Sequence, residues 1–328
     1  MDDFTFALVN GPLSILCISI ILFYAACLFS AQRGQKGFKQ PLKVLLLSVV
    51  EGTFIFYVFI LIQCMNISSS FVFFKRCLSL TEMYLMEITM TSTAWLNVYY
   101  CLHIVPFQRT FFIWIKRNIR WMTCCALITD RLVFSAEKAI VGGLLYMSTI
   151  KNSTNSTLSQ TDNLQFTWKV TFAVKTLYLI FSLVLMVASS CATVRYLQRH
   201  MKNMKESRSS FSSPHLRSQI RVTVTGIIQG ALYAISSLWI VIYNLLIIFL
   251  DLWEPENIMC TVISFFFFGT TINTGAGQSL FLQRATDLWR KIILGFQCCN
   301  QLPRKRRQHG RVDIRCSECA PMCLVLFG

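Results

Sequence analysis

The sequence predicts an all-α membrane protein: a bundle of seven transmembrane helices with the N-terminus outside, the C-terminus inside and a short amphipathic eighth helix. Three observations predict it, namely seven long apolar runs, a low charged fraction and a one-sided distribution of basic residues. The 328-residue chain is 54% hydrophobic and 14% charged, with a mean hydropathy of +0.53, whereas soluble domains carry about 25% charged residues. This composition argues against a soluble enzyme. The net charge is +16. In a membrane protein we interpret this charge as basic residues concentrated on one side of the bilayer, and not as affinity for nucleic acid.

Each predicted helix is an apolar run near or above the roughly 20 residues that span a hydrocarbon core. The first lacks a preceding basic region and is interpreted as an uncleaved signal anchor. The fourth is the least apolar, and its charges occur as opposite-sign neighbours that can neutralise each other or face inward. The runs cover residues 4–32, 41–65, 77–104, 121–150, 168–197, 222–250 and 257–283.

The loops between these segments alternate in charge. The loops after the first, third and fifth segments, together with the tail, hold 24 of the 31 lysines and arginines, whereas the N-terminus and the sixth loop hold none and five acids. Basic loops stay on the cytoplasmic side, so the N-terminus is expected outside. The three glycosylation sequons agree with this topology, because all fall in loops assigned outside: Asn66, Asn152 and Asn155.

The chain after the seventh segment is basic. Leu288, Trp289, Ile292, Ile293 and Phe296 recur with helical period among arginines and a lysine, which predicts the amphipathic helix on the inner membrane surface. We expect a receptor domain over residues 1–297 and a disordered tail over 298–328. Two cysteines follow this helix as lipidation candidates, with inert thiols as the alternative: Cys298 and Cys299.

Seven helices with short loops and a basic inner surface are typical of receptors that couple to G proteins. In such a receptor, a ligand in the outer half of the bundle shifts the population of two helix arrangements. The motifs of the rhodopsin-like majority are missing, because the third segment ends in Tyr100-Cys-Leu-His-Ile104 rather than Asp-Arg-Tyr. The Asp130-Arg131 pair lies within the fourth segment and is not that motif.

The chain resembles the type 2 taste receptor family, the bitter taste receptors. Leu96-Asn-Val-Tyr-Tyr-Cys-Leu-His-Ile-Val-Pro-Phe107 is similar to that family's Leu-Ser-x-Phe-Tyr-x-Leu-Lys-Ile-x-x-Phe. Phe111-Phe-Ile-Trp-Ile-Lys-Arg117 is similar to its Phe-Leu-x-Leu-Lys-x-Arg. Leu197-Gln-Arg-His-Met-Lys-Asn-Met204 matches Leu-x-x-His-x-x-x-Met, and Ser213-Pro-His-Leu-Arg217 resembles the approach to the sixth segment.

Three departures mark a divergent member, compatible with a non-mammalian vertebrate source. His103 replaces a lysine, Glu51 lies where the family tends to carry an arginine, and Gln278 lies where it has a histidine. The resemblance implies a plasma-membrane receptor for small amphipathic bitter compounds. It implies membrane lipids and a heterotrimeric G protein of the gustducin-like or inhibitory class as partners, with no cofactor.

Candidate ligand-binding residues cluster on the third segment. One helical face combines carboxylates, which attract cationic ligands, with methionines, which adapt to varied apolar groups. Core packing explains the methionines equally well. Glu87 is expected to pair with Lys175, because an unpaired intramembrane charge is costly, which leaves Glu82 as the free carboxylate. The resemblance adds residues on the sixth and seventh segments. The set is Glu82, Met83, Met86, Glu87, Met90, Lys175, Tyr233, Ser237, Phe268 and Thr271.

Basic side chains crowd the predicted inner surface. They suit contact with a G protein, and attraction to anionic lipids, about 1 kcal/mol per residue, explains them equally well. The candidates are His103, Arg199, His200, Lys202, Arg217 and Arg221.

No catalytic or metal-binding pattern stands out in the sequence. It has no phosphate-binding loop, no metal-spaced histidine pair and no nucleophile elbow, and the cysteines of the tail are a weak zinc pattern without a fourth ligand. Two other functions remain open. A vomeronasal-type pheromone receptor differs in its ligand, and a transporter is expected to show repeats and broken helices that the sequence lacks.

Overall fold

The structure is a computed structural model that describes residues 2–30, 40–65, 72–106, 110–151, 159–206, 214–250 and 256–306. Throughout these ranges the secondary structure is helical, with no strand. The helices are α1 (Asp3–Ser30), α2 (Gln40–Met65), α3 (Val72–Ile104), α4 (Thr110–Arg117), α5 (Ile119–Lys151), α6 (Ser159–Glu206), α7 (Pro214–Leu250), α8 (Glu256–Gly277) and α9 (Ser279–Arg306).

Each of the seven apolar runs corresponds to one helix, with α5 to α8 as the fourth to seventh segments. Within the described residues, five helices are long and apolar enough to cross a membrane: α1, α2, α6, α7 and α8. The helices of the third and fourth segments, α3 and α5, each carry several charged residues, which lower their mean hydropathy. The all-helical prediction is therefore confirmed for the described residues.

Several predicted helix bounds were wrong. Helix α7 begins at Pro214 instead of at residue 222, and the seventh segment, predicted over 257–283, ends as α8 at Gly277, with α9 beginning at Ser279. The region from Thr110 to Arg117, predicted as loop, forms helix α4, and α6 runs for 48 residues from Ser159 to Glu206 instead of over 168–197. The extension of α6 has a physical reason that does not apply to α4, which is mostly apolar. Polar and basic residues do not break a helix when Gly and Pro are absent, and long-chain residues such as Lys, Arg, Gln and Glu have good helix propensity.

The chain divides into two compact units, residues 1–278 and residues 279–328. In the first unit, α3 lies at the centre and packs against α2, α4, α5, α6, α7 and α8. The helices α1, α2, α5, α6, α7 and α8 surround it, and α8 closes the ring by packing against α1. In the second unit, α9 exposes apolar side chains such as Trp289, which is 64% exposed.

The two ends of the first unit are named here by their residues. The Asp3 end contains the starts of α1, α3, α6 and α8, and Asn257 donates a hydrogen bond to the Asp3 carboxylate there, at 2.8 Å. The His103 end contains the last residues of α3 and α8 and the first residues of α7. Aromatic packing joins the helices between these ends, because Phe56 of α2 stacks on Phe267 of α8 with ring centroids 4.1 Å apart.

Candidate functional site

A charged cluster lies between α3, α5 and α6, in the half of the bundle nearer the Asp3 end. It consists of Glu87 on α3, Glu137 and Lys138 on α5, and Lys175 on α6. Lys138 Nζ is 3.1 Å from the Glu87 carboxylate and 2.7 Å from that of Glu137, and Lys175 Nζ is 3.9 Å from Glu137 and in contact with Glu87. The ion pair predicted between Glu87 and Lys175 is thus present.

The charged cluster is neutral overall, because two carboxylates face two ammonium groups. The Glu87 side chain is 2% exposed and that of Lys175 is 8% exposed. Charges removed from water in this way are tolerated only with close partners and hydrogen bonds. The four residues therefore hold α3, α5 and α6 together as one unit.

A second buried acid, Asp130 on α5, lies one to two helical turns from the charged cluster. Its carboxylate accepts a hydrogen bond from Trp95 Nε1 at 3.1 Å and another from the Tyr178 hydroxyl. Asp130 is 1% exposed. It therefore joins the same three helices, α3, α5 and α6, by neutral donors instead of by counter-charges.

The methionine face of α3 is part of the bundle core. Met86 is 2% exposed and Met90 is fully buried, whereas Met83 is partly exposed. This favours the packing interpretation for Met86 and Met90 in the structure as it stands. The physical reason is the central location of α3, whose faces are covered by the surrounding helices.

The expectation that Glu82 would be a free carboxylate was wrong. Glu82 is 1% exposed, and its Oε2 accepts a hydrogen bond from the Cys260 thiol of α8 at 2.9 Å. This contact could not be predicted from the sequence, because it joins residues 178 positions apart. Glu82 links α3 to α8 at the Asp3 end of the bundle.

Of the four candidates on α7 and α8, Tyr233 lies at a contact between helices. Tyr233 is fully buried and donates a hydrogen bond to the Leu179 carbonyl of α6 at 3.3 Å. Ser237 and Thr271 donate to carbonyls of their own helices at 3.1 and 2.8 Å. Phe268 is partly exposed.

A polar network joins α3, α6 and α7 nearer the His103 end. The Asn97 amide of α3 donates to Ser190 Oγ at 2.7 Å and to the Met186 carbonyl at 3.2 Å, both on α6. Gly226 of α7 faces Asn97 closely, since a Cβ added there would lie 2.6 Å from Asn97 Oδ1. Glycine suits this position because a larger residue would have to displace the Asn97 amide, which is held by its two hydrogen bonds.

The polar network also includes hydrogen bonds between α7 and α8, whose residues line the same cavity as Asn97. Gln229 Nε2 donates to Thr270 Oγ1 at 3.0 Å, and Asn273 Nδ2 donates to Gln229 Oε1 at 3.0 Å. The Gln278 amide donates to the Tyr100 hydroxyl of α3. A small cavity of about 30 Å³ lies among these residues, which is room for about two water molecules. None of the predicted ligand-binding residues lines it.

The predicted basic surface is described in part. His103, Arg199, Lys202 and Arg221 are exposed, and His200 is partly exposed with its ring against Tyr196, centroids 6.0 Å apart. These residues belong to the His103 end, as the topology requires. Other candidates lie outside the described residues or side chains: Arg217, Asn66, Asn152, Asn155, Cys298 and Cys299.

Metal binding finds no support in the described part of the chain, where His, Cys, Asp and Glu form no group of three that could hold an ion. Sequence reasoning missed Lys138 as a second partner of Glu87, and it missed Glu137 as a partner of both lysines. The signal was present, because opposite charges at neighbouring positions in an apolar run imply an inward-facing stripe.

The family of the chain follows from comparison with known proteins. A family model described as "Taste receptor protein (TAS2R)" matches residues 36–269, a stretch that includes the charged cluster and the asparagine–glycine contact. The chain belongs to this family. The resemblance inferred from the short motifs is thereby confirmed, and membership agrees with a multi-pass membrane protein.

One curated member of the family illustrates how far the chain has diverged. Taste receptor type 2 member 40 of Gallus gallus is 26% identical to the chain over 215 residues. That alignment covers 61% of this chain and 63% of the chicken receptor, so it spans less than two thirds of the relative's length.

Proposed function

We propose that the protein is a chemosensory receptor for small bitter compounds that transmits ligand binding to a heterotrimeric G protein. The observation that carries this proposal is the match of the taste receptor family model to residues 36–269. The structure supports it with a helical bundle in which polar contacts link each end to the central helix α3. An enzymatic role has no supporting constellation among the described residues.

The proposed topology has seven spans, formed by α1, α2, α3, α5, α6, α7 and α8, in the plasma membrane. The Asp3 end is extracellular and the His103 end is cytoplasmic. Charge supports this orientation. The exposed Arg199, Lys202 and Arg221 belong to the His103 end, and basic residues are retained on the cytoplasmic side of a membrane. We assign α9 to the inner membrane surface and the following residues to a cytoplasmic tail.

We place the ligand site at the Asp3 end, around Glu82 and the charged cluster. The bundle is closed there, since Glu82, Met86 and Tyr233 are all buried. A ligand that separates α3 from α8 displaces the Cys260 thiol from Glu82 and gains its carboxylate. A cation gains more than a neutral ligand, because charges attract more strongly in a partly desolvated cleft than in water.

We assign G-protein contact to the His103 end. The exposed Arg199 and the partly exposed His200 lie at the end of α6, and the polar network beside them joins α3, α6, α7 and α8. A change in the spacing of these helices therefore reaches both the basic surface and the network. We infer a gustducin-like or inhibitory-class α subunit from the family alone.

The deciding experiment is a calcium-response screen of bitter compounds in cells that express the full chain with a chimeric G protein. We expect several amphipathic agonists with half-maximal responses in the micromolar range, about 7–8 kcal/mol of binding free energy. Glu82→Gln is expected to weaken cationic agonists about tenfold and to leave neutral agonists unchanged. If Glu82→Gln changes the potency of cationic and neutral agonists equally, the Glu82 carboxylate is not part of the ligand site.

Coupling is tested by Arg199→Ala combined with His200→Ala. Signalling is expected to fall while the amount of receptor at the cell surface stays normal, with Lys169→Ala at the other end of α6 as the control. Full signalling by the double variant removes both residues from the G-protein contact. A receptor present at the surface that no bitter compound activates contradicts the proposed ligand class.

A further inference from the structure

We propose that the surface around the Glu51–Arg131 ion pair, on α2 and α5, is an interface with a second copy of this chain. Arg131 Nη2 lies 3.0 Å from Glu51 Oε2, and the two side chains are 44% and 49% exposed. This pair differs from the charged cluster, whose side chains are at most 13% exposed. It belongs neither to the proposed ligand site nor to the proposed G-protein contact.

The depth of the ion pair makes its exposure unusual. Glu51 lies roughly 17 Å from the start of α2 and 21 Å from its end, at 1.5 Å per residue over Gln40–Met65. Arg131 lies roughly 18 Å along α5, which begins at Ile119. A hydrocarbon core is about 30 Å thick. Under the proposed topology, on which this inference rests, the ion pair is in the interior of the bilayer and faces outward.

Lipid chains are poor partners for such a pair. Arg131 carries five N–H donors, and Nη2 has a second contact with Ser48 Oγ at 3.5 Å, the upper limit of a hydrogen bond. Intramembrane charges usually face the bundle interior or a polar partner, because exposure to hydrocarbon is costly. A polar surface that packs over the pair would therefore be stabilised there.

A second copy of the chain supplies that surface by symmetry. Glu51 and Arg131 lie side by side on two neighbouring helices. A two-fold axis along the membrane normal, through the middle of the pair, brings Glu51 of one copy opposite Arg131 of the other. The four charges then alternate in sign. Such self-complementary interfaces are the commonest kind in symmetric oligomers.

The side chains next to Arg131 suit helix packing. Ile128 and Leu132 are 58% and 65% exposed, and the small residues Cys124 and Ser135 are exposed at helical spacing along the same side of α5. Small residues let helices approach closely within a membrane. These small residues support the proposed interface. The exposed ion pair is the feature that distinguishes this surface from the other lipid-facing surfaces.

The test uses the charge-swap variant E51R/R131E in the full-length receptor. Each swapped copy keeps its internal ion pair, so folding is preserved. Across the two-fold axis, a swapped copy presents like charges to a wild-type copy. Energy transfer between donor- and acceptor-labelled receptors is measured at the cell surface over a range of receptor densities, for wild type, for swap and for the mixed pair.

We expect both matched pairs to associate and the mixed pair to associate at least tenfold more weakly. Equal transfer in matched and mixed pairs, or no specific transfer between wild-type copies, overturns the proposal and leaves lipid over the surface. Ile235→Ala, at a 67% exposed position of α7, is the control that leaves association unchanged. If the swap does not reach the surface, E51Q/R131Q is used, and self-association equal to wild type overturns the proposal.

The outcome is separable from the proposed function. Association is measured without ligand or G protein, so a receptor with no bitter agonist can still dimerise. The topology is checked independently in the same cells by glycan removal.

Discussion

Replacement of Lys175 by methionine tests whether the charged cluster stabilises the bundle. The substitution retains most of the side-chain volume and removes one of the two ammonium groups. Lys138 then faces the carboxylates of both Glu87 and Glu137, and the buried cluster carries a net charge of −1. The prediction concerns stability and does not require knowledge of the ligand.

The magnitude follows from the distances. At an effective dielectric constant of about 20, two unit charges 4 Å apart attract by about 4 kcal/mol. Lys175 is 3.9 Å from Glu137 and in contact with Glu87. Removal of one partner from a buried ion pair costs about 3–5 kcal/mol, and we expect K175M to lower the free energy of unfolding by about that amount. The double variant K175M/E87Q restores neutrality and is expected to recover most of the loss.

The assay is reversible unfolding in mixed micelles of dodecyl maltoside and sodium dodecyl sulfate, followed by far-ultraviolet circular dichroism. Lys169→Met is the matched control, because Lys169 is on the same helix and exposed, so its removal is expected to change stability by no more than about 0.5 kcal/mol. A K175M protein as stable as wild type refutes the reasoning. So does a double variant that is less stable than K175M.

Three further predictions concern other contacts. Gly226→Ala is expected to destabilise the bundle or weaken signalling, since its Cβ would lie 2.6 Å from Asn97 Oδ1, and a second substitution, Asn97→Ala, is expected to relieve the effect in the same assays. Tyr57→Phe removes the hydrogen bond to the Ser264 carbonyl, 2.8 Å long, and is expected to cost about 1 kcal/mol in the unfolding assay. The proposed topology predicts that the receptor migrates faster on a gel when the sequon asparagines, Asn66, Asn152 and Asn155, are replaced by glutamine. If glycosidase treatment leaves the mobility of the exported wild-type receptor unchanged, the topology is contradicted.

The fold could be predicted well from the sequence because membrane helices are read from local composition. Seven apolar runs correspond to seven of the described helices, and the errors lie at the ends. The 48-residue length of α6 could not be read from hydropathy, which reports where a helix is apolar and not where it stops. Helix α4 was missed because its eight residues are too few to be recognised as a membrane span.

The candidate site was predicted less completely, because its contacts are long-range. The Glu87–Lys175 pair could be predicted, since a buried charge needs a counter-charge and few were available. The same argument did not distinguish Glu82, whose partner is the uncharged thiol of Cys260. Neutral donors leave no charge signature in a sequence, and Trp95 and Tyr178, the donors to Asp130, were overlooked likewise.

The charges of α3 and α5 also bear on how the protein is made. Neither helix is among the five that are apolar enough to span a membrane by hydropathy, and a lone charge at a helix centre opposes insertion by about 2.5–3.5 kcal/mol. During synthesis α3 emerges before α5 and α6, which carry the partners of Glu87. Under the proposed seven-span topology, we expect the translocation machinery to retain α3 until those helices arrive. A variant that breaks the charged cluster is expected to accumulate in the endoplasmic reticulum, as a defect of biogenesis, before any defect of sensing can be observed.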